Sequence, residues 1–137
     1  MAAMNDVLDL EEILVAAMES VEGLKDRVCP VVDIQRNTGP LVVYDQRTDA
    51  EEQSISGDTG LLSAEFDVHC LHSTYKKMRL LAAAVKGKLK GMQGIDSPLL
   101  IEAVRVEQTI PDILESKVQL FRRTYNVMIH YQIRGGN

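Results

Sequence analysis

The last part of the chain alternates apolar and polar residues over a length typical of a long β-strand. From about Lys117 to Arg134, period-two spacing places Phe121, Tyr125, Val127, Ile129, Tyr131 and Ile133 on one face and Arg122, Thr124, Asn126 and His130 on the other. Successive side chains of a strand point to opposite faces, so this period predicts one long strand with one buried face. Such a strand needs paired neighbours and a covering layer, which commits the chain to a sheet.

Two earlier stretches predict a β-hairpin. Leu41 to Glu52 is rich in strand-favouring residues, and apolar and polar residues alternate from Leu62 to Cys70. Between them, residues 54–60 are rich in turn formers. Arms of about twelve residues would span about 40 Å, which is roughly the width of a domain of this size. We therefore expect a long hairpin that protrudes from the domain.

Two amphipathic helices of opposite charge are also predicted. Apolar residues at helical spacing predict one helix from Asn5, or Asp6, to about Leu24, and a second from Ser73 to about Gly91. Residues 1–26 contain seven acids and one base, whereas residues 73–92 contain six bases and no acid. These charges could simply solvate the outer faces. Alternatively the helices lie side by side, or the acidic helix of one molecule faces the basic helix of a neighbour.

A third strand around residues 100–110 completes the order α-β-β-α-β-β. The 137 residues suit one domain, so we expect a single domain over residues 1–137. Its fold class is α+β, with a four-stranded, mostly antiparallel sheet and both helices packed on one face.

Composition excludes several classes of function. Twenty acids against fifteen bases give a net charge of −5, the wrong sign for a protein that grips nucleic-acid phosphates. No stretch approaches the roughly 20 apolar residues that span a bilayer, and residues 1–12 lack the pattern of a signal peptide. We expect assembly in a cytoplasm, with no membrane partner.

Two short motifs invite a chemical interpretation. Asp58-Thr59-Gly60 has the aspartic-protease signature, in which two carboxylates share a proton. Here the motif follows turn residues rather than an apolar strand, so a small protease-like enzyme using Asp58 is only a remote alternative to a hairpin turn. We expect no enzyme and no cofactor.

The other motif is His69-Cys70-Leu71-His72. On a strand His69 points away from Cys70 and His72, which leaves two candidate ligands on one face. A metal site would therefore need further ligands such as Cys29 or His130. A buried Cys70 beside surface histidines is the simpler interpretation, and a Cys29–Cys70 disulfide is disfavoured in a reducing compartment. We expect no metal.

The ordered features resemble the tail completion proteins of tailed bacteriophages, also called head-to-tail joining or tail terminator proteins. The resemblance covers most of the chain. Its most specific part is Pro40 to Tyr44, Ser54 to Leu61 and Ala64 to Val68. An initial helix of the kind at Leu8 to Val21 and the long final strand are also similar. In the second helix, the residues that look like the family's apolar face are Leu80, Leu81, Ala82, Ala84, Val85 and Leu89. The chain departs from the family at Cys70-Leu71-His72, where members often carry an aromatic residue.

The resemblance implies a structural virion protein at the head–tail interface, assembled in the host cytoplasm. Such a protein forms a homo-oligomeric ring, usually a hexamer, which caps the tail tube and docks to the head connector or stopper protein. DNA passes through its lumen without specific binding, and an acidic lumen would let it slide. Another neck or tail-tube ring component of similar α+β fold is the alternative.

Three surfaces are expected to make the contacts of such a ring. The acidic helix would form a subunit or partner interface through Asp9, Glu12, Glu19 and Glu22. The basic helix would oppose it through Lys76, Lys77, Arg79, Lys86 and Lys90. The hairpin tip would contact a neighbouring subunit or the connector through Glu51, Glu52, Ser54, Ile55, Ser56, Gly57, Asp58, Thr59 and Gly60.

Overall fold

The computed structural model describes residues 2–30, 39–48, 61–96 and 99–133. These residues form an α+β fold, as the sequence predicts. Its elements are α1 (Ala2–Glu19), β1 (Val28–Pro30), β2 (Leu41–Thr48), β3 (Leu61–His72), α2 (Tyr75–Lys90), β4 (Leu99–Gln108), β5 (Ile113–Glu115) and β6 (Leu120–Ile133).

The sheet is mixed and has six strands in the order β1-β2-β3-β6-β4, with β5 paired to the start of β6. β1 runs parallel to β2, and the other pairs are antiparallel. The predicted count of four strands, and with it the α-β-β-α-β-β order, is therefore wrong by two strands. Each missed strand has three residues, too few to show a period. β1 ends in a proline, Pro30, which is tolerated at an edge strand.

The predicted hairpin arms are confirmed. β2 and β3 pair antiparallel, with Leu41 opposite Leu71 and Thr48 opposite Glu65. β3 also pairs with β6 along its whole length, so β3 lies in the middle of the sheet. The connecting residues 49–60 lie outside the described residues, and so do the predicted protrusion and tip.

Both helices cover one face of the sheet, as expected from their apolar stripes. Leu10, Leu14 and Met18 of α1 are buried in one cluster with the sheet residues Val42 and Phe66. The same cluster contains the predicted stripe of the second helix: Met78, Leu81, Ala82, Val85, Leu89 and Met92. A smaller cluster on the other face consists of Leu41, Val43, Leu71 and Leu120.

The helix ends differ from the prediction in detail. α1 begins at Ala2, so Asn5 and Asp6 lie inside it and neither caps it. It ends at Glu19 rather than at about Leu24. α2 is capped by Thr74 rather than Ser73, because the Thr74 hydroxyl accepts a hydrogen bond from the Lys77 amide at 3.1 Å. The predicted end of the second helix at Gly91 is confirmed.

Candidate functional site

Three grooves follow one another across the helical layer. The first lies between α1 and β2, the second between α2 and the turn that follows α1, and the third between α2 and β6. Because β2 and β6 lie on opposite sides of β3, the first and third grooves open on opposite flanks of this layer.

The first groove, called here the acidic groove, is lined by Glu11, Glu12, Val15, Ala16, Glu19 and Tyr44 and has a volume of about 390 Å³. The Tyr44 hydroxyl donates a hydrogen bond to the Glu11 carboxylate, which ties α1 to β2. Burial and the neighbouring Glu11 raise the pKa of Tyr44, so its hydroxyl keeps its proton. Two of the predicted interface residues, Glu12 and Glu19, line this groove. Glu12 is exposed and Glu19 is partly exposed.

The second groove, between α2 and the turn after α1, brings together two further predicted residues, Glu22 and Lys77. Its volume is about 630 Å³. Its lining consists of Ser20, Val21, Glu22, Pro40, His72, Lys77, Leu80, Leu81, Ala84 and Lys88.

The third groove is basic and contains the most exposed large apolar side chain of the described residues. Its volume is about 560 Å³, and its lining is Tyr75, Lys76, Arg79, Leu80, Ala83 and Arg123. Leu80 is 64% exposed and lines both the second and the third groove. The resemblance places Leu80 and Ala84 on the apolar face of the helix, but both are exposed.

The opposite charges of the helices do not neutralise each other in the described part of the subunit. There, no ion pair within 4.0 Å joins a carboxylate of α1 to a cation of α2. Lys86 lies over the Tyr125 ring, 5.9 Å from its centre, and Lys90 is exposed at the end of α2. Asp9 belongs to α1, and its side chain is outside the description. Glu12, Lys76 and Arg79 are exposed.

The sheet face opposite the helices carries a polar network around His69. Nδ1 of His69 lies 2.8 Å from the Thr124 hydroxyl, and its Nε2 lies 3.4 Å from the Asp45 carboxylate. His69 therefore links β2, β3 and β6 on this face.

Next to this network, Asn126 holds two carboxylates together. Its amide donates to Glu65 at 2.6 Å and to Asp67 at 3.3 Å, and Arg47 pairs with Asp67 at 3.1 Å. The alternating pattern predicts that Glu65 and Asp67 point away from the core, but Asn126 lies about sixty residues further along the chain. Its role follows from the β3–β6 register, which no local pattern gives.

A second network fastens the turn after β4 to β6. Two nitrogens of Arg123 donate to the two carboxylate oxygens of Asp112 at 2.9 and 2.8 Å, and Tyr75 and Gln108 also donate to Asp112. The hydrogen bonds from Arg123 are the main reason why the pKa of Asp112 is lowered. Arg123 is therefore engaged within the chain, whereas Lys76 and Arg79 of the same groove have no ion pair among the described residues.

Asp112→Asn is expected to lower the free energy of unfolding by about 1 kcal/mol at neutral pH. A carboxyl with a lowered folded-state pKa stabilises the fold above its ordinary pKa of about 3.9, and this stabilisation is lost as the pH falls through the lowered value. The difference between variant and wild type should therefore shrink below about pH 4. Urea unfolding over a pH series measures it. A difference that is constant with pH would contradict a lowered pKa of Asp112 in the folded state. Glu107→Gln is the control, because Glu107 is exposed.

The cysteines and histidines do not form a site in the described residues. Cys70 is completely buried, and desolvation raises its pKa to about 12, so it is an unreactive core thiol. Both cysteines are free thiols. Within residues 2–30, 39–48, 61–96 and 99–133, no group of three or more His, Cys, Asp or Glu side chains could hold a metal ion.

The whole predicted hairpin tip, from Glu51 to Gly60, lies outside the described residues. The Asp58-Thr59-Gly60 motif is part of it. The structure therefore gives no geometry for either interpretation of Asp58.

In the described part of the chain, no helix combines the length and the apolar character needed to cross a membrane.

No protein-family model and no curated protein matches the sequence. The fold, however, is similar to that of a chain in a solved structure described as the virion of a native gene transfer agent particle. The TM-score is 0.52 at 14% sequence identity, and the match covers 86% of this chain and 91% of the other. At this identity the likeness concerns the fold, and it extends over most of both chains.

Proposed function

We propose that this chain is a structural virion protein of a tailed phage or prophage that forms a ring on the end of the tail tube and joins the tail to the head connector. The observation that carries the proposal is the fold shared over most of its length with a chain of a virion particle. The resemblance of the sequence to tail completion proteins independently favours the same class and adds the position at the head–tail interface.

The distribution of charge supports assembly with other copies or partners. Acidic and basic surfaces on opposite flanks of one subunit suit head-to-tail contacts around a ring. The proposed interface residues are Asp9, Glu12 and Glu19 on α1, Glu22 in the turn after it, and Lys76, Lys77, Arg79, Lys86 and Lys90 on α2. The turn between β2 and β3, Glu51 to Gly60, is proposed to contact a neighbouring subunit or the connector.

The proposed ring is a hexamer, the usual number in the family that the chain resembles, and DNA passes through its lumen. Glu65, on the sheet face opposite the helices, is proposed to point toward this lumen, where a carboxylate repels the phosphates of passing DNA. No catalytic step is part of the proposed function.

Light scattering coupled to size-exclusion chromatography tests the proposal, first with the protein alone and then with purified tail tubes. We expect a ring, or a complex at one end of each tube, which electron microscopy of the same fractions would locate. Incorporation along the tube would instead identify a tail-tube component. A monomer that ignores tubes at low and moderate salt would contradict both.

A further inference from the structure

The flanks of the two helices present four residues each over the same length of helix. Glu12, Val15, Ala16 and Glu19 occupy positions i, i+3, i+4 and i+7 of α1 on the acidic groove. Lys76, Arg79, Leu80 and Ala83 occupy the same four positions of α2, and we call them the basic ridge. At about 1.5 Å per residue, each set covers about 10 Å of helix.

The two surfaces are also complementary in charge and apolar content. In the acidic groove the carboxylates of Glu12 and Glu19 lie beside Val15 and Ala16, while the third, Glu11, accepts the hydrogen bond from Tyr44. The basic ridge presents two cations beside Leu80 and Ala83. Among the described residues these charges have no ion-pair partner in their own chain. Docking would remove the 64% exposed Leu80 side chain from water, which stabilises a complex.

The position of the surfaces decides which kind of contact they can make. They open on opposite flanks of the helical layer, against β2 on one side and β6 on the other. Different surfaces of two identical chains then meet head to tail, which gives a ring if the rotation closes.

We propose that the basic ridge of one copy docks into the acidic groove of the next, with Leu80 against Val15 and Ala16. Lys76 and Arg79 of the first copy then lie against the flank of α1 that carries Glu12 and Glu19 in the second. The occupant of the acidic groove is thus another copy of this chain. The inference rests on the proposed function for the closure of the ring, and it identifies the contact between neighbouring subunits.

Two charge-reversed variants test the contact. Lys76→Glu/Arg79→Glu makes the ridge acidic, and Glu12→Lys/Glu19→Lys makes the groove basic. Each places like charges opposite each other, so each variant alone should weaken the subunit contact at least about tenfold at low salt. Sedimentation velocity of the free protein measures this, and counting of joined particles with tails and heads measures it on the template.

A mixture of the two variants gives the decisive result. The acidic ridge of one variant then meets the basic groove of the other, and the remaining two surfaces keep their wild-type attraction. An equimolar mixture should therefore recover assembly as an alternating ring, although neither variant assembles alone. Charges that act only through folding or net charge cannot produce this recovery.

Lys88→Glu is a control for charge reversal elsewhere on the same helix, because Lys88 lines the second groove. It should assemble like wild type. Assembly that survives both double reversals, or that the mixture does not recover, would overturn the proposed contact while leaving the ring itself in place. If wild-type protein neither self-associates nor joins particles, the proposed function fails as well.

Discussion

Phe66→Ala is expected to lower the free energy of unfolding by about 3–5 kcal/mol. Phe66 is 1% exposed and lies in β3, between Gln46 of β2 and Val127 of β6. Its ring is 6.5 Å from the Tyr44 ring. Truncation removes apolar surface from the core and leaves a cavity that the surrounding sheet and helices cannot fill without moving.

Chemical denaturation with a circular-dichroism readout measures this loss. Leu80→Ala is the control, because Leu80 is 64% exposed, and the change should stay within about 0.5 kcal/mol. A cost of Phe66→Ala similar to that of Leu80→Ala would show that Phe66 is not at the centre of the core. Leu80→Ala also removes the apolar part of the basic ridge, so it should weaken assembly while leaving the fold intact.

Gly39→Ala is expected to produce the second largest loss of stability. Gly39 has φ +78°, a conformation that costs a residue with a side chain about 1–3 kcal/mol. A Cβ at this position would lie 2.9 Å from the Cα of His72. Since His72 is held in β3 by its pairing with Phe121, the backbone must shift, and overpacking of this kind costs a further 1–3 kcal/mol, roughly.

Gly94→Ala separates these two contributions. Gly94 also has positive φ, +97°, but an added Cβ would meet nothing within 4 Å. It should therefore show the cost of the backbone conformation alone, and thermal unfolding of both variants gives the difference. Equal losses for the two variants would contradict the close approach of Gly39 to β3.

The elements with long periodic patterns could be predicted from the sequence. The alternation in residues 62–70 and 121–133 gave the faces of β3 and β6, because each strand is long enough for the period to be unambiguous. The stripe from Met78 to Met92 likewise identified the buried face of α2. β1 and β5 could not be predicted, because three residues show no period and their pairing depends on partners elsewhere in the chain.

The candidate site was predictable in its charges but not in its arrangement. The counts of acids and bases already indicate one acidic and one basic helix. That Glu12 and Glu19 open on one flank, and Lys76 and Arg79 on the other, depends on how the helices pack against the sheet. The exposure of Leu80 depends on the same packing, because a leucine at the border of a buried stripe can lie either in the core or on the surface.

The most direct test of the proposed function uses a strain that produces the particles but lacks this gene. Electron microscopy of its lysate should show DNA-filled heads and separate tails, and purified protein added to the lysate should join them. Wild-type numbers of joined particles without the protein would contradict a role in head-to-tail joining.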